Sequence, residues 1–170
     1  KPLGLRLPEL LPGPGEATRL PAVEAIKLPA DLVYMDPPYN QHVYHSNYHI
    51  WETLVRWDKP EVYGVACKRV DVCERKSAFN QKKQILSAMT QMVEDLDVRH
   101  LVVSFNNEGY ISKDEMIELL SCRGEVFVFE KEYKRYVGAQ IGIHNPQGNR
   151  VGEISHLENK EYIFMVSSKG

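Results

Sequence analysis

The feature that most constrains this chain is a short apolar run that stops at two consecutive prolines. Residues 31–39 read Asp-Leu-Val-Tyr-Met-Asp-Pro-Pro-Tyr. Leu32, Val33, Tyr34 and Met35 have the length and β-forming character of a strand buried on both faces of a sheet. Pro37 and Pro38 then fix φ and remove two backbone donors, so the ladder cannot continue and the chain leaves the sheet stiffly. The carbonyls of Asp36 and Pro37 are left without ladder partners. A carboxylate, a free carbonyl and an aromatic ring, Tyr39, are thus expected at the carboxyl end of a strand, where open α/β sheets bind ligands.

The remaining pattern extends the same architecture. Residues 77–96 carry Ile85, Leu86, Met89, Met92, Val93 and Leu96 at helical spacing. A second apolar strand spans 100–105 and ends in Asn106-Asn107. Ser112 and Glu115 form a capping box ahead of another helix. Further strands are expected at 125–130, extending toward Tyr136, and at 161–166, with a glycine- and asparagine-rich loop, 138–157, between them. The first three strands, separated by helices, should be parallel by right-handed crossovers. The last two, joined without a helix, should form an antiparallel hairpin. A helix over 47–57, capped by Asn47, would bury Tyr48, Trp51, Leu54 and Val55 as packing residues. Residues 58–76 read as a long polar connection, and 23–28 as a short helix or turn.

This arrangement suits one chemistry. An amino group conjugated to a ring is a poor nucleophile because its lone pair is delocalised. Two acceptors on its two N–H bonds favour a pyramidal nitrogen and stabilise the positive charge that grows as it attacks carbon. A ring such as Tyr39 can stack on the planar substrate and fix the angle of attack. The bland alternative is a strand followed by a tight Pro-Pro turn, with Asp36 as turn-former.

Asp36-Pro37-Pro38-Tyr39 resembles the catalytic motif of the S-adenosylmethionine-dependent, Dam-like adenine-specific DNA methyltransferases. Asn40, Tyr44, Asn47-Tyr48-His49 and Glu52 resemble that family's segment after the catalytic loop. Residues 76–79 (Lys-Ser-Ala-Phe), 104–109 (Ser-Phe-Asn-Asn-Glu-Gly) and 133–136 (Tyr-Lys-Arg-Tyr) recur in the same order in related modification methylases. The resemblance implies a Rossmann-like α/β sheet and methyl transfer from S-adenosylmethionine to the 6-amino group of adenine in double-stranded DNA. It implies a catalytic role for Asp36, Pro37 and Tyr39, with Asp36 and Tyr39 also lining the methyl donor's pocket. Substrate or DNA contacts are implied for Pro38, Tyr44, Lys76, Ser77, Phe79, Asn106, Lys134 and Arg135. From the residues alone, Ser77 and Phe79 read equally as a helix cap and a core ring, and Asn106 as a hydrogen-bonding group for substrate or, by preference, a turn closer. Methylases of RNA or of protein glutamine carry close variants of the first motif, and a non-catalytic DNA-binding fragment is a third reading.

Such enzymes bind the donor with a glycine-rich strand-loop-helix ahead of the catalytic motif. Here Pro12-Gly13-Pro14-Gly15 has no apolar strand before it and reads as a turn segment. The expectation is therefore a loosely structured, proline-rich segment over 1–21 and the C-terminal half of a methyltransferase domain over 22–170. The sheet would lack its N-terminal strands, which a missing half or a partner subunit would supply. A bare apolar edge at the Asp36 strand would otherwise be an aggregation liability.

The net charge of −2 argues against a strongly basic nucleic-acid coat but permits one basic face. Positive residues gather at Lys68-Arg69, Arg75-Lys76 and Lys82-Lys83, and again at Lys131, Lys134 and Arg135. No run approaches a transmembrane helix or a signal peptide. Three cysteines, Cys67, Cys73 and Cys122, lack metal-type pairing, which suits a reducing cytoplasm. His42, His45 and His49 cluster without a partner at ligand spacing, so hydrogen bonding or phosphate contact is preferred over a metal.

Overall fold

A computed structural model of the chain describes residues 6–74, 77–134 and 158–168. Residues 6–20 are exposed and carry no helix or strand. Then follow α1 (Ala22–Ala25), β1 (Leu32–Met35), α2 (Tyr44–Asn47), α3 (His49–Arg56), β2 (Val62–Tyr63), β3 (Lys68–Arg69), α4 (Ile85–Asp95), β4 (His100–Asn106), α5 (Lys113–Ser121), β5 (Val126–Lys134) and β6 (Glu158–Ser167). The main sheet has the order β1-β4-β6-β5. β1 pairs in parallel with β4, while β6 runs antiparallel to both β4 and β5. β1, β4 and β5 therefore point the same way, as the helical connections demand. The expected C-terminal hairpin is present, with β6 inserted between β4 and β5.

Side-chain alternation along the paired strands separates two unlike faces. Met35, Leu101, Val103, Phe105, Tyr162, Phe164 and Val166 are buried in one core with Ile85, Met89, Met92 and Val93 of α4 and Met116 and Leu120 of α5. The opposite face carries Leu32, Tyr34, Phe127 and Phe129, each more than half exposed, together with exposed Met165. The expectation that β1 is buried on both faces is thus corrected. Helices α4 and α5 both pack on the same side, and β1 is also an edge strand of the described sheet.

The local chemistry explains most element ends. Ser112 accepts from the Glu115 N–H at 3.3 Å while the Glu115 carboxylate accepts from the Ser112 N–H at 2.7 Å, the reciprocal cap that starts α5. The α4 end is closed by Arg123, whose guanidinium donates to the carbonyls of Val93, Leu96 and Val98 at 3.0, 2.6 and 2.6 Å. Three carbonyls at and just beyond the helix end are satisfied by that one side chain. The helix expected over 77–96 is instead a 3-10 turn, Ala78–Asn80, followed by extended Gln81 and then α4. Asn80 is drawn away from helix geometry because its amide donates to the carbonyls of Asn40 and His42 at 2.8 and 3.2 Å.

Two expectations about residues 47–76 are also revised. Asn47 ends α2 rather than capping α3, and the α3 N-cap is Tyr48, without a side-chain cap. Tyr48, Trp51, Leu54 and Val55 are exposed, not packed. The supposed polar connection contains the β2–β3 hairpin and a 3-10 turn, Val70–Cys73, tied to α3 by one buried arginine. Arg69, 3 % exposed, donates to both Asp58 oxygens at 2.6 and 2.8 Å and to Asp71 at 3.0 Å. It is a structural tie, not part of a surface phosphate patch.

Candidate functional site

The site grows from the carboxyl ends of β1 and β4, where Met35 pairs with Val103. Asp36 follows Met35, is exposed, and has no hydrogen-bond partner among the described residues. The Asp36 and Pro37 carbonyls likewise accept no hydrogen bond among the described residues. The loop beyond them is held from below and from the side. The Tyr39 carbonyl accepts from the Tyr110 N–H at 2.8 Å, and the Tyr110 hydroxyl reaches Gln41 Oε1 at 3.0 Å. The Asn40 side chain accepts from the His42 N–H at 3.0 Å, and Asn80 holds the Asn40 and His42 carbonyls. The Tyr39 ring meets Phe105 edge-on.

Two cavities flank this loop. The larger, about 380 Å³, is lined by Asp36, Pro37, Pro38, Ser77 and Phe79, with Val33, Met35, Met89 and Met92 as apolar wall. The smaller, about 220 Å³, is lined by Pro38, Tyr39, Asn40, His42, Tyr44 and Asn47. The Ser77 hydroxyl accepts from the Phe79 N–H at 3.2 Å, and Phe79 packs against the core. For these two residues the cap-and-core reading holds, and they also line the cavity beside Asp36. Asn106 is buried, and its side-chain oxygen accepts from the Glu108 N–H at 2.9 Å, the turn-closing bond expected of it. Lys134 is exposed at the end of β5, opposite Glu158. Lys76 and Arg135 lie outside the described residues, as do Arg75, Tyr136 and the loop 138–157.

Several groups here sense one another. Burial pushes the Tyr39 hydroxyl up, as do Tyr133 and Tyr44, while the Asn106 side chain facing it pulls the other way. Tyr44 is raised by burial and then by the negative charge of Asp36. Glu161, within β6, is raised by burial and by Asp36, against the lowering effect of the Ser104 hydroxyl that donates to it at 3.1 Å. Asn80, Tyr110 and Glu161 are site residues that sequence reasoning missed. Asn80 adjoins Phe79 and Tyr110 follows Gly109, but nothing in their spacing reveals partners 40 and 69 positions away.

The three clustered histidines diverge. His42 lines the smaller cavity, His45 Nε2 lies 3.5 Å from Asp71, and His49 is buried in α3. Among the described residues no group of three His, Cys, Asp or Glu side chains is placed to hold a metal ion, and no helix is long and apolar enough to cross a membrane.

A codirectional β1/β4 pair that delivers an acid, two prolines and a tyrosine to its carboxyl end defines a methyltransferase-type α/β fold. The model of the D12 class N6 adenine-specific DNA methyltransferases matches residues 16–119, and the chain belongs to that family. It is 37 % identical over 143 residues to the type II methyltransferase M.FokI of Planomicrobium okeanokoites, a match covering 82 % of this chain and 20 % of that protein. It is 35 % identical over 118 residues to the modification methylase StsI of Streptococcus sanguinis, covering 68 % and 18 %. With the type II methyltransferase M.NlaIII of Neisseria lactamica it shares 26 % over 132 residues, covering 78 % and 39 %. The chain thus spans between about a fifth and two fifths of the length of these relatives. No solved structure matches it significantly.

Proposed function

We propose that this chain supplies the catalytic segment of a DNA methyltransferase that modifies the 6-amino group of adenine, with S-adenosylmethionine as methyl donor. The observation that carries the reading is the Asp36 carboxylate beside the Pro37 carbonyl at the end of β1, neither with a hydrogen-bond partner among the described residues. Two acceptors in that position hold the two N–H bonds of an arylamine. They favour a tetrahedral nitrogen and stabilise its developing positive charge. The exposed side of Tyr39 stacks on the base. Because a duplex hides the amine from in-line approach, the adenine must leave the stack, at a cost of a few kcal/mol. Pro37 and Pro38 contribute by stiffening the loop, and Asn80 and Tyr110 by fixing it, so that little reorganisation remains for the reacting step.

The donor, when bound, supplies an electrophilic methyl group. The larger cavity fits it in part: Asp36 and Pro37 stand at its rim beside an apolar wall. Among the described residues its lining offers no glycine-rich turn for the methionine end and no acid other than Asp36 for the ribose. We therefore assign the rest of the donor's pocket to a cofactor-binding half, in the same polypeptide or a separate one. The exposed β1 edge and the apolar sheet face bearing Leu32, Tyr34, Phe127 and Phe129 support this. A parallel pair is ordinarily covered on both faces, and strands and helices of that half would cover both surfaces.

The test is methyl incorporation from labelled donor into DNA, RNA and protein by an assembly containing both halves. Incorporation into DNA adenine, lost in Asp36→Asn, is the expected result. Incorporation only into RNA or protein overturns the substrate assignment.

A further inference from the structure

The apolar residues of α2 and α3 are half or more exposed. Tyr44, Tyr48 and Trp51 are 51, 54 and 63 % exposed. Large rings left this open on a small protein usually mark a contact surface. Tyr44 and Tyr48 lie nearly parallel, with ring centroids 6.0 Å apart at 19°. Trp51 follows one helical turn after Tyr48, on the same side of the helix. The row begins at the candidate site itself, because Tyr44 also lines the smaller cavity with Tyr39.

A cation accompanies the rings. Lys68 of β3 donates to Ser46 Oγ at 2.9 Å, which anchors its ammonium at the helix carrying Tyr44 and Tyr48. It has no carboxylate partner among the described residues. Arg69 beside it is paired with Asp58 and Asp71, so of these two neighbouring cations Lys68 is the one left without a carboxylate among the described residues. Rings in sequence with a flanking free cation are what surfaces for unpaired nucleic acid combine.

We infer that Tyr44, Tyr48 and Trp51 form a stacking track for unpaired bases of the substrate strand next to the target adenine, with Lys68 on its phosphate backbone. The polymer's identity rests on the methyltransferase reading above; the stacking role rests on the rings. On this view the protein engages a locally melted strand, beyond the single extruded base that Asp36 requires.

The experiment is fluorescence anisotropy of this chain with a labelled single-stranded DNA of about ten nucleotides, within the site size of small single-strand binders, and with its duplex. The single strand should bind more tightly than the duplex. Tyr48→Ala and Trp51→Ala should each weaken it by about fivefold or more, and Tyr48→Phe should retain affinity. Lys68→Gln should reduce the slope of log affinity against log salt by about 0.7. Val65→Ala, an exposed apolar control on the β2–β3 turn, should change nothing. Absence of saturable binding overturns the track, as does duplex binding as tight as single strand. So does unchanged affinity in both ring variants, or an equal loss in the Val65 control. These results leave Asp36 untouched. Normal turnover by Asp36→Asn in the full assembly would sink the catalytic reading without moving the anisotropy.

Discussion

Tyr39 meets Phe105 edge-on, with ring centroids 5.8 Å apart and planes at 66°. Phe105 is fully buried on β4, so the ring proposed to stack on substrate is itself anchored to the core of the sheet. Edge-to-face pairs contribute about 0.5–1.5 kcal/mol beyond area burial. The catalytic loop is thereby held by two prolines, by the Asn80 and Tyr110 hydrogen bonds, and by this ring. Tyr39→Phe should keep both the core contact and a stacking face, leaving turnover largely intact. Tyr39→Ala should lose both, lowering the melting temperature and weakening base binding by roughly 1–3 kcal/mol. If Phe proved as damaging as Ala in steady-state kinetics, the hydroxyl facing Asn106 would be the working part.

Asp36→Ala should remove methyl transfer while leaving DNA affinity in place, because the carboxylate acts on the reacting amine and not on phosphate. Loss of one preorganised charge-stabilising group corresponds to about 2.7–4 kcal/mol in the chemical step. Single-turnover kinetics on the complete assembly, read beside a binding isotherm, separates the two effects.

How much of this was legible follows from where each signal lives in the chain. β1, β4, β5, β6 and the Ser112 cap announce themselves through apolar runs and a four-residue motif, all local patterns. The Asp36–Tyr39 loop was equally visible, because proline acts on its own backbone. What escaped was everything set by distant partners. Asn80 breaks the expected long helix because it is bonded to loop carbonyls 38 and 40 positions away. Arg69 reads as a surface cation until Asp58 and Asp71 surround it. The aromatics at α3 have core-like spacing, and only the fold shows that Tyr48 and Trp51 are left more than half exposed. Glu161 looked like the start of a strand, and the β4–β6 register is what sets it opposite Asn106 at the site end of the sheet.

The Arg69 tie makes the α3/β2–β3 lobe sensitive to acid. Hydrogen bonds from Arg69 hold Asp71 and Asp58 below their ordinary value of 3.8. A depressed carboxylate contributes stability that is complete above its unfolded value and is lost as pH falls through the folded one. The lobe should therefore be intact at neutral pH and loosen below about pH 3.8, earlier than the core sheet. Trp51 and Trp57 both sit on this lobe and report it by fluorescence. The double change Asp58→Asn with Asp71→Asn should destabilise more than Arg69→Leu, because it strands a buried guanidinium without its counter-ions. Equal melting of the two variants would contradict the tie.

Glu161 carries the opposite sign. Burial and Asp36 raise it above the ordinary 4.5, so the ionised form is disfavoured in the folded state. Its penalty is absent below 4.5 and grows as pH rises through the folded value. Glu161→Gln keeps an acceptor for Ser104 and removes the charge, so it should raise the melting temperature near pH 7 and leave it unchanged near pH 4. Melts of the variant at both pH values check this; a gain of similar size at pH 4 would point to packing instead of charge.

The final expectation concerns the methyl donor. The cavity beside Asp36 presents one carboxylate and an apolar wall, which can hold one side of an adenosyl sulfonium but not its amino-acid end. Calorimetry with this chain alone should therefore detect weak S-adenosylmethionine binding or none. Adding a cofactor-binding half, in cis or as a separate polypeptide, should restore binding. It should also lower the exposure of Leu32, Tyr34, Phe127 and Phe129, readable as hydrogen-exchange protection along β1 and β5. The two effects should appear together, because the surface that completes the donor's pocket also covers the open edge and face of the sheet. Micromolar binding by this chain alone would place the whole donor site within these residues and remove the reason for a second half.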